Sequence, residues 1–128
     1  MAQRRSCINR AATRKYILAL VKNIKVAWQC ERVSGEYMDL LEYLVGCVII
    51  PKMFQIPTCD LEPKTSLGLL TRSVVADKLL QRFEAHFGNF ISHGQITDMA
   101  IGHVEEQLVM HIRHAVESHP TLGKTFKP

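Results

Sequence analysis

Long apolar runs are scarce in this chain. The longest lies near Val45 to Ile50 and is ended by Pro51, well short of the ~18 residues a membrane span requires. Aromatic residues are few, at 7% with one tryptophan. Those present, such as Trp28 and Tyr16, fall on helical stripes, so they are expected in a core and not on a base-stacking platform. No two of the four cysteines (Cys7, Cys30, Cys47, Cys59) stand at C-x-x-C spacing. They read better as buried free thiols than as two disulfides of a secreted chain. There is no H-E-x-x-H, and Gly123-Lys124-Thr125 lacks the upstream glycine of a phosphate loop, Ser118 standing in its place. Those absences exclude the common zinc-hydrolase and P-loop signatures. No acidic residue occurs in the first 25 positions, and the start is basic and polar, with no apolar leader-like stretch. An intracellular location is expected: nucleoid or cytoplasm, or nucleus in a eukaryote.

What is present is 128 residues with 16 Lys and Arg against 12 Asp and Glu, a net charge of +4. A length of this order suits one domain and is too short for a large multi-substrate enzyme. Hydrophobic residues at 47% and charged residues at 22% exclude a fully disordered chain.

Periodicity predicts an all-α fold. Residues 1–10 form a basic arm with Arg4, Arg5 and Arg10. A first helix is expected from about Ala12 to Trp28, on the stripe Ile17, Leu20, Val21, Ile24 and Trp28. A second begins after Ser34, a good N-cap, and has a broad apolar face from Tyr37 to Ile49. Pro51 should kink or end it, with some helix persisting to about Phe54. Residues 55–66 form a loop, with a brief helical turn near Leu67 to Leu70. A third helix runs from about Ser73 to Phe90. A loop at 92–96 follows, and a fourth helix starts after Thr97 as N-cap and stops before Pro120. The tail 121–128 is basic and ends in proline.

The two halves resemble each other at an offset of 63 residues. Val33-Ser34 falls on Ile96-Thr97, Glu42 on Glu105, Ile49 on Ile112, and Pro57-Thr58 on Pro120-Thr121. The expected organisation is an arm at 1–10 and one all-α domain at 11–128, made of two repeats at about 11–66 and 72–128.

Two short motifs then stand out. Arg32-Val33-Ser34 lies between a medium helix and a long one. Lys-Thr pairs follow both long helices, as Pro63-Lys64-Thr65 and Gly123-Lys124-Thr125. In this pattern the chain resembles the histone fold, archaeal histones in particular, where an R-V-S loop precedes the long helix and a G-R-K-T loop follows it. The resemblance implies head-to-tail pairing of two helix–long-helix units, here fused in one chain. The first loop of one unit would then lie beside the second loop of the other. Arg32 would lie near Thr125, and Gln95, which replaces the second arginine, near Thr65. It also implies largely sequence-nonspecific binding and compaction of double-stranded DNA, with Arg32, Ser34, Lys64, Thr65, Lys124 and Thr125 at the DNA. Arg4, Arg5, Arg10 and Lys15 would serve as an auxiliary arm, and a second copy or another histone-fold chain as a protein partner. The chemistry is sound in general terms. Helix N-termini offer free N–H groups to phosphate, lysine adds charge, and arginine enters a narrow minor groove.

Other constellations have plainer readings. His86, His93, His103, His111, His114 and His119 read as surface residues and not as metal ligands, and no cofactor is expected. Asp39 with Glu42, and Glu105 with Glu106, read as solvated helix faces, so no catalytic role is expected. The alternative function is a helical protein–protein module or assembly factor, suggested by the broad apolar face of residues 37–49.

Overall fold

The computed structural model describes residues 6–55, 67–87, 93–121 and 123–128. Residues 56–66 of the loop expected at 55–66, which include Lys64 and Thr65, and the arm residues Arg4 and Arg5 lie outside the described residues. The described chain is mostly helical: α1 (Arg10–Ile24), α2 (Gly35–Tyr43), α3 (Arg72–Phe87) and α4 (His93–Ser118). Two two-residue strands, β1 (Arg32–Val33) and β2 (Thr125–Phe126), form a small parallel ladder. Among the described residues, no helix is long and apolar enough to cross a membrane.

Local chemistry explains the helix starts. Asn9 Oδ1 accepts from the N–H of Ala12 at 3.2 Å, so α1 begins two residues earlier than its apolar stripe suggests. It also ends earlier, at Ile24, and Trp28 sits beyond the helix although it is buried. Ser34 caps α2 as expected, its Oγ accepting from Tyr37 N at 3.1 Å. The α-helical ladder of α2 widens to a π segment at Leu44–Ile49, then tightens to a 3-10 segment at Ile50–Gln55. Pro51 lies where the pattern changes. Proline has no N–H to donate and crowds the carbonyl four residues back, so the chain stays helical only by changing its hydrogen-bond step.

The fourth helix differs from the expected one. It starts at His93, so Thr97 is inside the helix and not its cap, and Gln95 belongs to the first turn instead of a loop. Nothing from His93 to Ile96 forbids helical dihedrals, and Gly94 costs only about 1 kcal/mol relative to alanine. The turn of helix expected near Leu67 is instead an extended strap with one antiparallel bridge, Ile8 to Leu70.

That bridge joins the chain before α1 to the chain before α3. Asn9 N donates to Leu69 O and Thr71 N to Cys7 O, each at 2.8 Å. Each strap is also caught by a glutamate from a long helix. Cys7 N donates to Glu42 Oε2 at 2.9 Å. Leu67 N and Leu69 N donate to the two oxygens of Glu105 at 2.8 and 3.2 Å. Glu105 is buried, and these two N–H donors compensate its desolvation. Glu42 and Glu105 thus make inward structural contacts where solvated faces were expected, while Asp39 is exposed. The arm also stops short of its expected bound, because Cys7 and Ile8 are core residues.

The core runs through the chain from Ile17 and Val21 of α1, Met38 and Leu41 of α2 and Val75 and Leu79 of α3 to Val104, Leu108 and Ile112 of α4. It ends in Phe126, which is 0% exposed. The basic tail thus closes the core. Replacing Phe126 with alanine should lower the unfolding free energy by about 3–5 kcal/mol, read from the urea midpoint at unchanged m-value. A loss below about 1 kcal/mol, the size of an ordinary surface change, would show that the tail is not packed.

Candidate nucleic-acid interface

The small ladder builds the candidate site. Its register sets Arg32 opposite Thr125 and Val33 opposite Phe126. Glu31 N and Arg32 N both donate to Lys124 O, at 2.8 and 3.1 Å, and Ser34 N donates to Phe126 O at 2.9 Å. Side chains alternate along a strand. Val33 and Phe126 therefore face the core, while Arg32 is exposed and Thr125 half-exposed.

An aromatic cluster fixes this register from below. Trp28 stacks on His119 with ring centroids 4.9 Å apart, and His119 lies 4.7 Å from Phe126. Trp28 Nε1 donates to Gly123 O at 2.7 Å. Gly123 has φ +70°, a left-handed turn that a side chain would strain, and it aims that carbonyl at the indole. The hydrogen bonds of His119 define its tautomer. Lys127 N–H can only donate, so Nε2 accepts it at 3.1 Å. Nδ1 therefore carries the proton and donates to Pro120 O at 2.6 Å. His119 is thus buried and fully bonded, contrary to the expected surface placement. Cys30 lies beneath the same strand, its Sγ donating to Arg32 O at 3.3 Å, and burial raises its thiol pKa.

The outer face carries mixed charge. Lys124 Nζ lies 3.9 Å from Glu31 and Lys127 Nζ 3.8 Å from Glu36, all four side chains well exposed. Exposed pairs of this kind are worth at most about 1 kcal/mol, so a phosphate can displace either carboxylate at little cost. Among the described residues, no partner takes the N–H groups of Gly35 and Glu36 in the first turn of α2. They add to the positive end of the helix dipole.

The sequence-derived site residues divide into three groups. Arg32, Lys124, Thr125 and Ser34 come together at one corner. The Oγ of Ser34 is engaged as the α2 cap, so its part there is to hold the helix start. Arg10 and Lys15 stand elsewhere, on α1. Lys15 is exposed. Arg10 is bound into the fold, with Nη2 2.6 Å from Asp39 Oδ1 and Nε 3.8 Å from Glu42 Oε1. It is therefore not a free member of an arm. Arg4, Arg5, Lys64 and Thr65 lie outside the described residues, as does most of the second corner that the resemblance implies; of Gln95 only the backbone is described. Lys127 and the Trp28–His119–Phe126 cluster escaped the sequence reading. The alternation Lys124-Thr125-Phe126-Lys127 was the available signal, but it is too short to separate from a polar tail.

Among the described residues, no group of three or more His, Cys, Asp or Glu is placed to hold a metal ion. Comparison with models of known protein families, with curated proteins and with solved structures finds no match.

One histidine beside this corner is half-buried. His111 stacks on Tyr37, ring centroids 6.2 Å apart, and neither Tyr37 Oη nor His111 Nε2 has a hydrogen-bond partner among the described residues. Burial, and next the nearby His114, lower the His111 pKa, and burial raises that of Tyr37. The unfolded ring then binds a proton at a pH where the folded ring does not. Stability is complete above about pH 6.5 and falls as acid is added through that value towards the lowered folded pKa. Denaturant melts at a series of pH values should show this loss for the wild type and a shallower one for His111→Asn. Equal slopes would contradict the assignment.

Proposed function

We propose that this protein binds double-stranded DNA without strong sequence preference, in the manner of a histone-fold pair fused in one chain, and compacts or bends it. The observation that carries the reading is the register of Arg32 against Thr125, with Lys124 and Lys127 exposed beside the N-terminus of α2. One arginine, two lysines and free helix N–H groups at one corner suit a phosphate backbone and its minor groove. The pairing of the straps supports the duplication. Glu42 and Glu105, equivalent at the 63-residue offset, both hold the chain that leads into the preceding helix. The proposed activity involves no reaction and no cofactor, and its location follows the DNA, in a nucleoid or nucleus.

A second reading, a helical interaction module, draws on Leu40 and Tyr43, 43% and 58% exposed on α2. Such a surface also suits a further copy of the chain or another histone-fold partner.

Titration of a labelled random duplex between about 50 and 200 mM salt separates the two readings. Binding should weaken steeply with salt. Arg32→Ala and Lys124→Ala should each reduce the slope of log K against log salt by about 1, with little change in stability because both side chains are exposed. Absence of binding by the wild type at the lower salt, or equal slopes in wild type and double variant, would remove the DNA reading and leave the interaction module.

A further inference from the structure

A cavity of about 550 Å³ opens between the strap before α1, the second helix and α3. It is lined by Cys7, Arg10, Glu42, Tyr43, Cys47 and Lys78, among others. Two thiols therefore share one space although 40 positions separate them in sequence. A Cβ built on Gly46 would stand 3.7 Å from Cys7 Sγ, so the buried thiol sits directly against the turn that carries Cys47. Glycine at 46 puts no side chain between them. Cys47 is exposed, contrary to the expectation that all four cysteines are buried, whereas Cys7 is 3% exposed. The turn belongs to the π segment at Leu44–Ile49, whose wider ladder is less tightly bound than an α-helix and can adjust.

We propose that Cys7 and Cys47 form a peroxide-sensitive thiol pair that closes to an intramolecular disulfide. Cys47, the accessible partner, attacks a hydroperoxide as thiolate. An S–O bond forms, the O–O bond breaks, and the alcohol or water leaves, giving a sulfenic acid on Cys47. The Cys7 sulfur then attacks the Cys47 sulfur. The S–S bond forms, the S–O bond breaks, and the departing hydroxide takes the Cys7 proton as water. Two thiols are oxidised and one hydroperoxide is reduced.

The order of events follows from the surroundings. Burial, the largest influence, raises the Cys7 pKa, and the charges of Glu42 and Cys47 act in the same sense, while Lys78 opposes them. Cys7 therefore keeps its proton and acts second. The backbone N–H of Cys7 is held by Glu42, which keeps the resolving thiol in place beside Gly46. Closure would staple the strap to the second helix.

The test is to treat the full chain with a small excess of hydrogen peroxide and map the products by peptide mass spectrometry. The expected product is 2 Da lighter, links the Cys7 and Cys47 peptides, and reverts with dithiothreitol. Cys7→Ala should instead accumulate a dimedone-reactive sulfenic acid on Cys47. Cys47→Ser, at an exposed position where folding is not at stake, should give neither product. Cross-links through Cys30 or Cys59, disulfide dimers between chains, or a wild type that stops at the sulfenic acid would overturn the proposal.

Discussion

The parallel pairing of Arg32–Val33 with Thr125–Phe126 is the constraint on which the rest depends. It joins segments 93 positions apart in sequence, so its loop entropy must be recovered by contacts made on closure. Its backbone hydrogen bonds alone contribute only a few kcal/mol. Phe126 contributes more by entering the core, and the Trp28–His119 stack locks the turn at Gly123 that delivers it. Once Phe126 is inside, the period of the strand leaves Thr125 outside beside Arg32, the N–H groups of Glu31 and Arg32 hold the carbonyl of Lys124 alongside, and α2 starts two residues after β1. The arrangement of the charged corner is thus a consequence of core packing.

The chain before α1 and before α3 is fixed in a similar way by polar contacts. Two straps, before α1 and before α3, bridge each other at Ile8 and Leu70, and a carboxylate from each long helix receives their N–H groups. A buried carboxylate without such donors would cost several kcal/mol. Glu105 is therefore tied to the extended path of residues 67–70. Arg10 belongs to the same region, where it balances Asp39 and Glu42. That use engages Arg10 within the fold, whereas Arg32 at the corner is exposed.

Much of this was legible in the sequence, for identifiable reasons. Long periodic stripes gave the helices of α1, α2 and α3, and Ser34 marked its helix start because a hydroxyl before an apolar run has few other uses. Arg32, Lys124 and Thr125 were singled out through short motifs whose meaning depends on which loop meets which, and the ladder register brings them together. The start of α4 was misplaced because Thr97-Asp98 fits the first turn inside a helix as well as at its cap. The burial of His119, Glu105 and Phe126 was hidden because each depends on partners distant in sequence: Trp28, the 67–69 strap and Val33's neighbours. A histidine that donates at Nδ1 and accepts at Nε2 is a sound core residue, yet nothing local distinguishes it from a surface one. Cys47 was read as buried because its neighbours are apolar, but the π turn carries it to the surface.

The most direct test of the account is an amide NMR titration of the labelled protein with a short duplex of arbitrary sequence. The amides of residues 31–36 and 123–127 should shift together, with one affinity, and the shifts should shrink together as salt is raised. Shifts confined to the first few residues, or shifts at one of the two segments without the other, would contradict a DNA-binding corner assembled by the pairing of β1 with β2.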